Sequence, residues 1–373
     1  FGELAKKGAE NEKKWTAVFD EYKKAYPKEA ALLEKYIKAD VNSELIGSLA
    51  FFEPVEGGIA TRTASGKVMN LIENYMTEFI GGSADLAPST KTELSGCGSF
   101  GIAGRCSRNI HFGVREHAMG AIINGMALHG GLIPYAATFL SFLDYMREPV
   151  RLAAMMKTHS IFVFTHDSIG LGEDGPTHQP VEHISSLRLV PDLTVIRPAD
   201  ANETVAAWYW AITAKKPVAL IFTRQNVPVL DTKKSALFEG VLKGAYVLSE
   251  PNGVPDVIII ATGSEVHAAL EAQEILAKRN IKARIVSMPS YEIFISQDMN
   301  YRNSVIPPYM KRRVIVEAGS TAFWRGLAGD KGEVIGVDRF GASAPGAVVL
   351  EKYGITARNI ADTAEKVLKK EDL

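Results

Sequence analysis

From Glu3 to about Lys38, charged positions alternate with apolar ones at helical period, and Trp15, Phe19, Tyr22 and Tyr26 fall three or four residues apart. The spacing predicts a helix that Pro27 breaks and that resumes over Ala30 to Ile37. Val41 to Gly58 carries Gly, Pro and Ser without a period and reads as a linker. Between Ala60 and Leu230 the pattern changes. Helix-like segments alternate with short β-rich runs at Ser160 to His166, Leu193 to Arg197 and Val218 to Thr223. A polar connector near Asp231 to Leu242 follows, and the alternation then restarts: Val257 to Ala261 as strand, Glu265 to Arg279 as helix, Ala283 to Ser287 as strand. Arg313 to Glu317 and Val334 to Val337 continue the strand series. Such alternation predicts an α/β protein of two domains, each a mostly parallel sheet flanked by helices. The expected divisions are a helical linker over 1–58, a first domain over 59–235 and a smaller second domain over 236–373. No tandem repeat or low-complexity tract interrupts them.

Composition narrows the class without naming a reaction. The chain has 373 residues, enough for two or three compact units, with 46% hydrophobic and 23% charged residues. Lys and Arg number 42 against 43 Asp and Glu, so overall charge gives no argument for nucleic acid or an acidic membrane surface. No apolar run is long enough for a membrane span. Cys97 and Cys106 alone make neither a disulfide framework nor a cysteine zinc site, which points to the cytosol. The start, Phe1-Gly2-Glu3-Leu4, is neither a signal peptide nor an initiator methionine, so the sequence is expected to begin within a longer protein.

Four features could carry chemistry. The run Thr165-His166-Asp167-Ser168-Ile169-Gly170-Leu171-Gly172-Glu173-Asp174-Gly175-Pro176-Thr177-His178-Gln179-Pro180 follows a hydrophobic strand, where ligands of such sheets bind. Gly170, Gly172 and Gly175 spell a dinucleotide fingerprint, but Pro176 and Pro180 interrupt the place of its phosphate-cradling helix, and Glu173 and Asp174 would oppose a pyrophosphate. A plain glycine turn is the other reading. His166, His178 and His183 are either metal ligands or structural histidines, and their spacing matches no zinc signature. Glu116 opens an otherwise apolar helix after Gly113-Val114-Arg115. It is either a buried carboxyl held against a ring nitrogen or a charge favoured by the helix dipole. Phe139, Phe142 and Tyr145 recur every three residues and, if helical, share a face that is either core or a stacking wall for a heterocycle. Arg62, Ser89 and Arg224 lie near element ends, where guanidinium groups could hold phosphate.

At these residues the sequence resembles transketolases. The run His166 to Pro180 is similar to that family's substrate loop, and Gly113 to Gly120 to its catalytic-glutamate segment. Gly81-Gly82-Ser83-Ala84-Asp85-Leu86 and Thr223-Arg224-Gln225-Asn226 match further family segments. The resemblance covers essentially the whole chain and is strongest over residues 60–230. It implies a thiamine diphosphate enzyme that moves a two-carbon ketol unit from a ketose phosphate to an aldose phosphate in the pentose phosphate pathway. It further implies that Glu116 and His178 are catalytic, with Glu116 hydrogen-bonded to the aminopyrimidine ring nitrogen. Phe142, Phe139 and Tyr145 would hold that ring, with Asp85 as a cofactor-side neighbour. Arg62, Ser89, His166, Asp174, His178 and Arg224 match substrate-contact positions. The partners implied are sugar phosphates and a second protomer of a cytoplasmic homodimer.

One departure from the family pattern is large. The Gly-Asp-Gly and Asn-Asn motif that holds the diphosphate and its Mg2+ or Ca2+ is not found, so no metal ligand is expected in these residues. The resemblance therefore implies half a site, inactive until the diphosphate-binding domain is supplied. A dihydroxyacetone synthase and a non-catalytic regulatory partner of a full-length transketolase remain as alternatives. Deoxyxylulose-phosphate synthase and the β subunit of 2-oxo acid dehydrogenases lack the full Gly-Glu-Asp-Gly-Pro-Thr-His-Gln run.

Overall fold

A computed structural model describes residues 1–38, 41, 45, 48–101, 103–230 and 234–370. The expected linker over Val41 to Gly58 and the connector from Asp231 lie partly outside them. The strands in chain order are β1 (Ile59–Ala60), β2 (Phe79–Ser83), β3 (Asn109–His111), β4 (Ile133–Phe139), β5 (Ile161–Thr165), β6 (Thr194–Ile196), β7 (Val218–Phe222), β8 (Asn226–Val227), β9 (Tyr246–Ser249), β10 (Val257–Ala261), β11 (Ala283–Ser287), β12 (Arg313–Val316) and β13 (Glu333–Ile335).

The first sheet runs β3-β2-β4-β5-β7-β6, parallel throughout. Its central strands explain themselves: Ile161-Phe162-Val163-Phe164-Thr165 is β-branched or aromatic at every position, and all five residues are buried. Continuous apolar runs of this kind belong to strands covered on both faces. Each such side chain contributes roughly 1.5–3 kcal/mol on burial. The second sheet runs β13-β12-β10-β11-β9, with only β9 antiparallel. β1 and β8 form a separate two-residue antiparallel ladder.

Most expected strands appear within a residue or two of their predicted bounds, and Val257–Ala261 and Ala283–Ser287 match them. At the N-terminus two helices, Gly2–Ala25 and Pro27–Lys38, meet at Pro27, which opens the second helix where its missing N–H costs nothing. Trp15, Phe19 and Tyr22 stack along the first helix, which buries no residue. Further on, the helix Ala201–Thr213 is fixed by reciprocal caps. Asp200 accepts from Glu203 N–H at 2.7 Å, and the Glu203 carboxylate accepts from Ala199 N–H at 2.7 Å.

The two sheets meet through a buried ionic cluster. Arg197, just past β6, directs Nε and Nη2 to Asp167 Oδ2 at 3.0 and 2.7 Å and Nη1 to Thr262 O at 3.0 Å, and it pairs with Glu265. Arg188 Nη1 lies 2.8 Å from both oxygens of Glu317, which also accepts from Trp324 Nε1 at 2.7 Å. All five charged side chains are essentially inaccessible.

Candidate functional site

Ligands of doubly wound sheets bind beyond the carboxyl ends of the strands, where neighbouring connections diverge. That end of the first sheet collects most of the residues singled out above. β2 leads through Ser83 to Asp85, an exposed residue held at φ 63°, and on to Ser89. β3 leads to Glu116, β4 ends at Phe139, β5 ends next to His166, and β7 leads to Arg224. Arg62 joins from the helix Thr61–Tyr75: its backbone N–H donates to Thr223 O at 3.4 Å and its Nη1 donates to Ser89 O at 2.6 Å.

The aromatic residues form a wall, though not as one helical stripe. Phe139 terminates β4, Phe142 sits in the 3-10 turn Leu140–Phe142, and Tyr145 begins the turn of the helix Leu143–Met156. The spacing of three thus survives through a strand, a tight turn and a helix. Phe139 and Phe142 stack with centroids 5.7 Å apart, and Tyr145 follows at 6.1 Å from Phe142. Against them lie two imidazoles: His166 at 3.7 Å from Phe139, and His178 at 5.5 Å from Phe142 and 6.2 Å from Phe139. Phe139 is 7% exposed and Tyr145 64%, so the wall runs from core to surface.

His166 is held in the left-handed region at φ 60°, and its Nδ1 lies 2.9 Å from Thr165 Oγ1. A strained non-glycine residue at the end of a strand marks a position the surrounding structure over-determines. Burial, followed by the charges of Arg62, Arg224 and His178, pushes its pKa down to about 3, so the ring is neutral at physiological pH. Burial and then Arg224 also lower the pKa of Arg62, whose Nε is buried without a partner. Two guanidinium groups and a neutral imidazole therefore share one electropositive recess, and an unpaired buried donor there suits an oxyanion.

Glu116 is 8% exposed and is the first residue of the helix Glu116–His129. The carboxyl is buried, and it stands at the helix start, where the dipole favours negative charge. Asp174 is exposed on the turn from Gly172 to Gly175, and His178 Nδ1 lies 2.9 Å from Thr177 Oγ1.

The dinucleotide reading of Gly170, Gly172 and Gly175 does not hold. A 3-10 turn over Ile169–Leu171 leads into a further turn, and no phosphate-cradling helix follows. Instead the loop docks on the second unit. Gln179 Nε2 donates to Ala342 O at 3.0 Å, Ser343 Oγ donates to Glu173 O at 2.5 Å, and Gly346 packs so closely that a Cβ would lie 2.2 Å from Gly170 O. The segment Asp338 to Gly346 therefore shapes the loop. The three loop histidines also part company: His183 faces Asp144 and Glu182, away from the His166 and His178 pair. Sequence reasoning missed Gln179 and the Arg188–Arg197 cluster, because their partners lie more than 100 residues away for Glu317 and Ala342.

Two family profiles match the chain. The transketolase pyrimidine binding domain matches residues 57–229, and the transketolase-like C-terminal domain matches residues 244–356. The chain belongs to the transketolase family. It is similar to the transketolase of Aquifex aeolicus, at 49% identity over 96% of this chain and 51% of that protein. Among solved structures, it resembles transketolase from Leishmania mexicana, with a TM-score of 0.90 and 38% identity over 97% of this chain and 53% of that one. A split gene transketolase described as an inactive beta4 tetramer matches over 84% of this chain and 99% of its own length, with 28% identity and a TM-score of 0.67. The chain spans about half the length of the curated transketolases it matches. Among the described residues no helix is long and apolar enough to cross a membrane.

Proposed function

We propose that this chain supplies the pyrimidine-binding half of a transketolase active site and acts on sugar phosphates once a diphosphate-binding domain completes it. The observation that carries the reading is the aromatic wall of Phe139 and Phe142 standing against His166 and His178, beside the Arg62 and Arg224 recess. The residues present fit thiamine diphosphate: an apolar wall suits a planar ring, and a buried carboxyl stands at the same end of the sheet. When bound, thiamine diphosphate supplies the carbon nucleophile for ketol transfer.

In this reading Phe139, Phe142 and Tyr145 hold the aminopyrimidine ring, with Asp85 beside it. Glu116 hydrogen-bonds the ring nitrogen and holds a proton there. Arg62, Arg224 and Ser89 bind the sugar phosphate. His166 stays neutral beside that phosphate and orients it. Asp174 and His178 bind hydroxyls near the reacting carbons, and His178 serves there as the proton-transfer group. The Mg2+ or Ca2+ and the diphosphate are held by the complementary domain, supplied within a cytoplasmic homodimer of the pentose phosphate pathway. The residue divisions 1–58, 59–235 and 236–373 serve respectively as linker, pyrimidine-binding domain and C-terminal domain.

The test is complementation. The chain alone is expected to show no ketol transfer from xylulose 5-phosphate to ribose 5-phosphate, and mixing it with a diphosphate-binding domain, thiamine diphosphate and Mg2+ restores transfer. Glu116→Ala abolishes that restoration. Full restoration by Glu116→Ala would overturn catalysis and favour a regulatory role.

A further inference from the structure

Outside this site, three side chains from two elements converge without a described purpose. Asp144 lies in the helix Leu143–Met156, while Glu182 and His183 lie where the substrate-loop segment enters the helix His183–Arg188. Each offers one ligand atom, and those atoms all lie within 4.8 Å of one another. His183 Nε2 stands 3.4 Å from Asp144 Oδ2, and its Nδ1 stands 3.8 Å from Glu182 Oε1.

The imidazole gives the cluster its meaning. His183 is 7% exposed, yet neither ring nitrogen has a hydrogen-bond partner. Buried polar atoms are nearly always satisfied, and an orphaned imidazole nitrogen, Nε2, facing the Asp144 carboxylate calls for a missing partner, with a Glu182 oxygen within 4.8 Å. Nitrogen and oxygen ligands bind zinc at about 2.0–2.2 Å, so two of them at a tetrahedral angle stand about 3.4 Å apart. That is the His183 to Asp144 separation.

The carboxylates are about half exposed, which leaves a path for entry and room for water as a further ligand. The opposing charge is Arg147, whose Nη2 lies 3.2 Å from Asp144 Oδ1 and whose Nη1 donates to Ser186 Oγ at 3.0 Å. It occupies the other oxygen and leaves Oδ2 toward the imidazole. Two carboxylates against one guanidinium keep the site net negative.

We propose that Asp144, Glu182 and His183 form a divalent transition-metal site, suited to zinc, that ties the helix bearing Tyr145 to the segment just after His178. The site is separate from the ion expected beside a diphosphate, and its test is independent of ketol transfer. Imidazole with carboxylate oxygen suits zinc and its neighbours in the first transition row over magnesium or calcium. A bound ion would help fix the relative position of the aromatic wall and the loop by adding a tie between two elements that already share a hydrogen bond from Arg147 to Ser186 and a common apolar core.

The experiment is calorimetric titration of the tag-free 373-residue chain with ZnCl2, paired with the visible spectrum of the chain titrated with CoCl2. One equivalent per chain is expected, with the d–d absorption of four-coordinate cobalt. His183→Ala is expected to lower affinity at least about tenfold, on the scale of lost ligand-sphere interactions. Asp144→Asn, at an exposed position that keeps the fold, is expected to weaken binding as well and to remove the zinc-induced rise in melting temperature. Saturable binding unchanged in both variants would overturn the site. Absence of saturable uptake would overturn it equally, leaving His183 as an imidazole held between two carboxylates.

Discussion

Removing Arg197 tests whether charge joins the two sheets. The Arg197 side chain is fully buried and contacts Asp167, Thr262 and Glu265 directly, with Glu317 at 3.8 Å. With Arg188, two guanidinium groups face three carboxylates, a net charge of −1; Arg197→Leu makes that −2 with no solvent access. Burial alone would lower the Arg197 pKa, but Glu265, Asp167 and Glu317 together raise it, so the cation is firmly held. Breaking a buried ion pair by deleting one partner costs about 3–5 kcal/mol, because the remaining charges lose their compensation. The loss is expected in urea denaturation, together with new protease sensitivity between the two units. It must also depend on pH. The Glu265 pKa is already raised, first by burial and with Arg197 opposing, and removing that opposition raises it further. A carboxyl with a raised folded pKa binds more protons folded than unfolded, so the variant loses stability as pH rises above the ordinary carboxyl range, more steeply than the parent. Arg197→Leu combined with Glu265→Leu is expected to recover part of the loss. A cost below about 1 kcal/mol without pH dependence would refute the reasoning.

Three further outcomes follow from the structure. Burial and then the charge of Asp200 push Glu203 up to about 7, and burial pushes Asp200 up to about 6. Both stay protonated longer in the folded state, so their contribution is present at acidic pH and lost as pH rises through about 6 to 7; Glu203→Gln should flatten that slope in melting temperature. His166 has the opposite sign: its folded pKa of about 3 lies below the ordinary 6.5, so stability falls as pH drops below 6.5. Its imidazole proton resonances should therefore not titrate between about pH 5 and 8, and titration near neutrality would remove the electropositive recess. Gly346→Ala would place a Cβ 2.2 Å from Gly170 O; expected are a loss of about 1–3 kcal/mol and faster proteolysis around Gly172 to Gly175, and an unchanged cleavage rate would disprove the docking.

The fold was largely legible because its central strands are apolar on both faces. A run such as Ile161 to Thr165 can satisfy its backbone and bury its side chains in few other ways. Bounds slipped at edges such as β13, observed at Glu333–Ile335 against an expectation of Val334 to Val337, where half-buried residues leave the end of pairing to neighbouring strands. The aromatic spacing was visible, but its conformation was not: a period of three suits a helical stripe as well as a strand passing through a 3-10 turn. Gly170, Gly172 and Gly175 were equally ambiguous. The tertiary contacts resolve them: Gly346 against Gly170, Gln179 to Ala342 and Ser343 to Glu173 show that the loop packs on a distant segment.

By itself, then, the sequence determined the alternation of elements, the two-unit pattern and the motifs that place it beside transketolases. Those signals are local, written in period, turn residues and short runs. Tertiary structure alone decided that His166 and His178 share the aromatic wall while His183 leaves them for Asp144 and Glu182. It alone decided that Arg188 and Arg197 bind carboxylates of the second unit. Such pairings depend on strand order and on the burial that strips charges of water, and neither is a property of neighbouring residues in the chain.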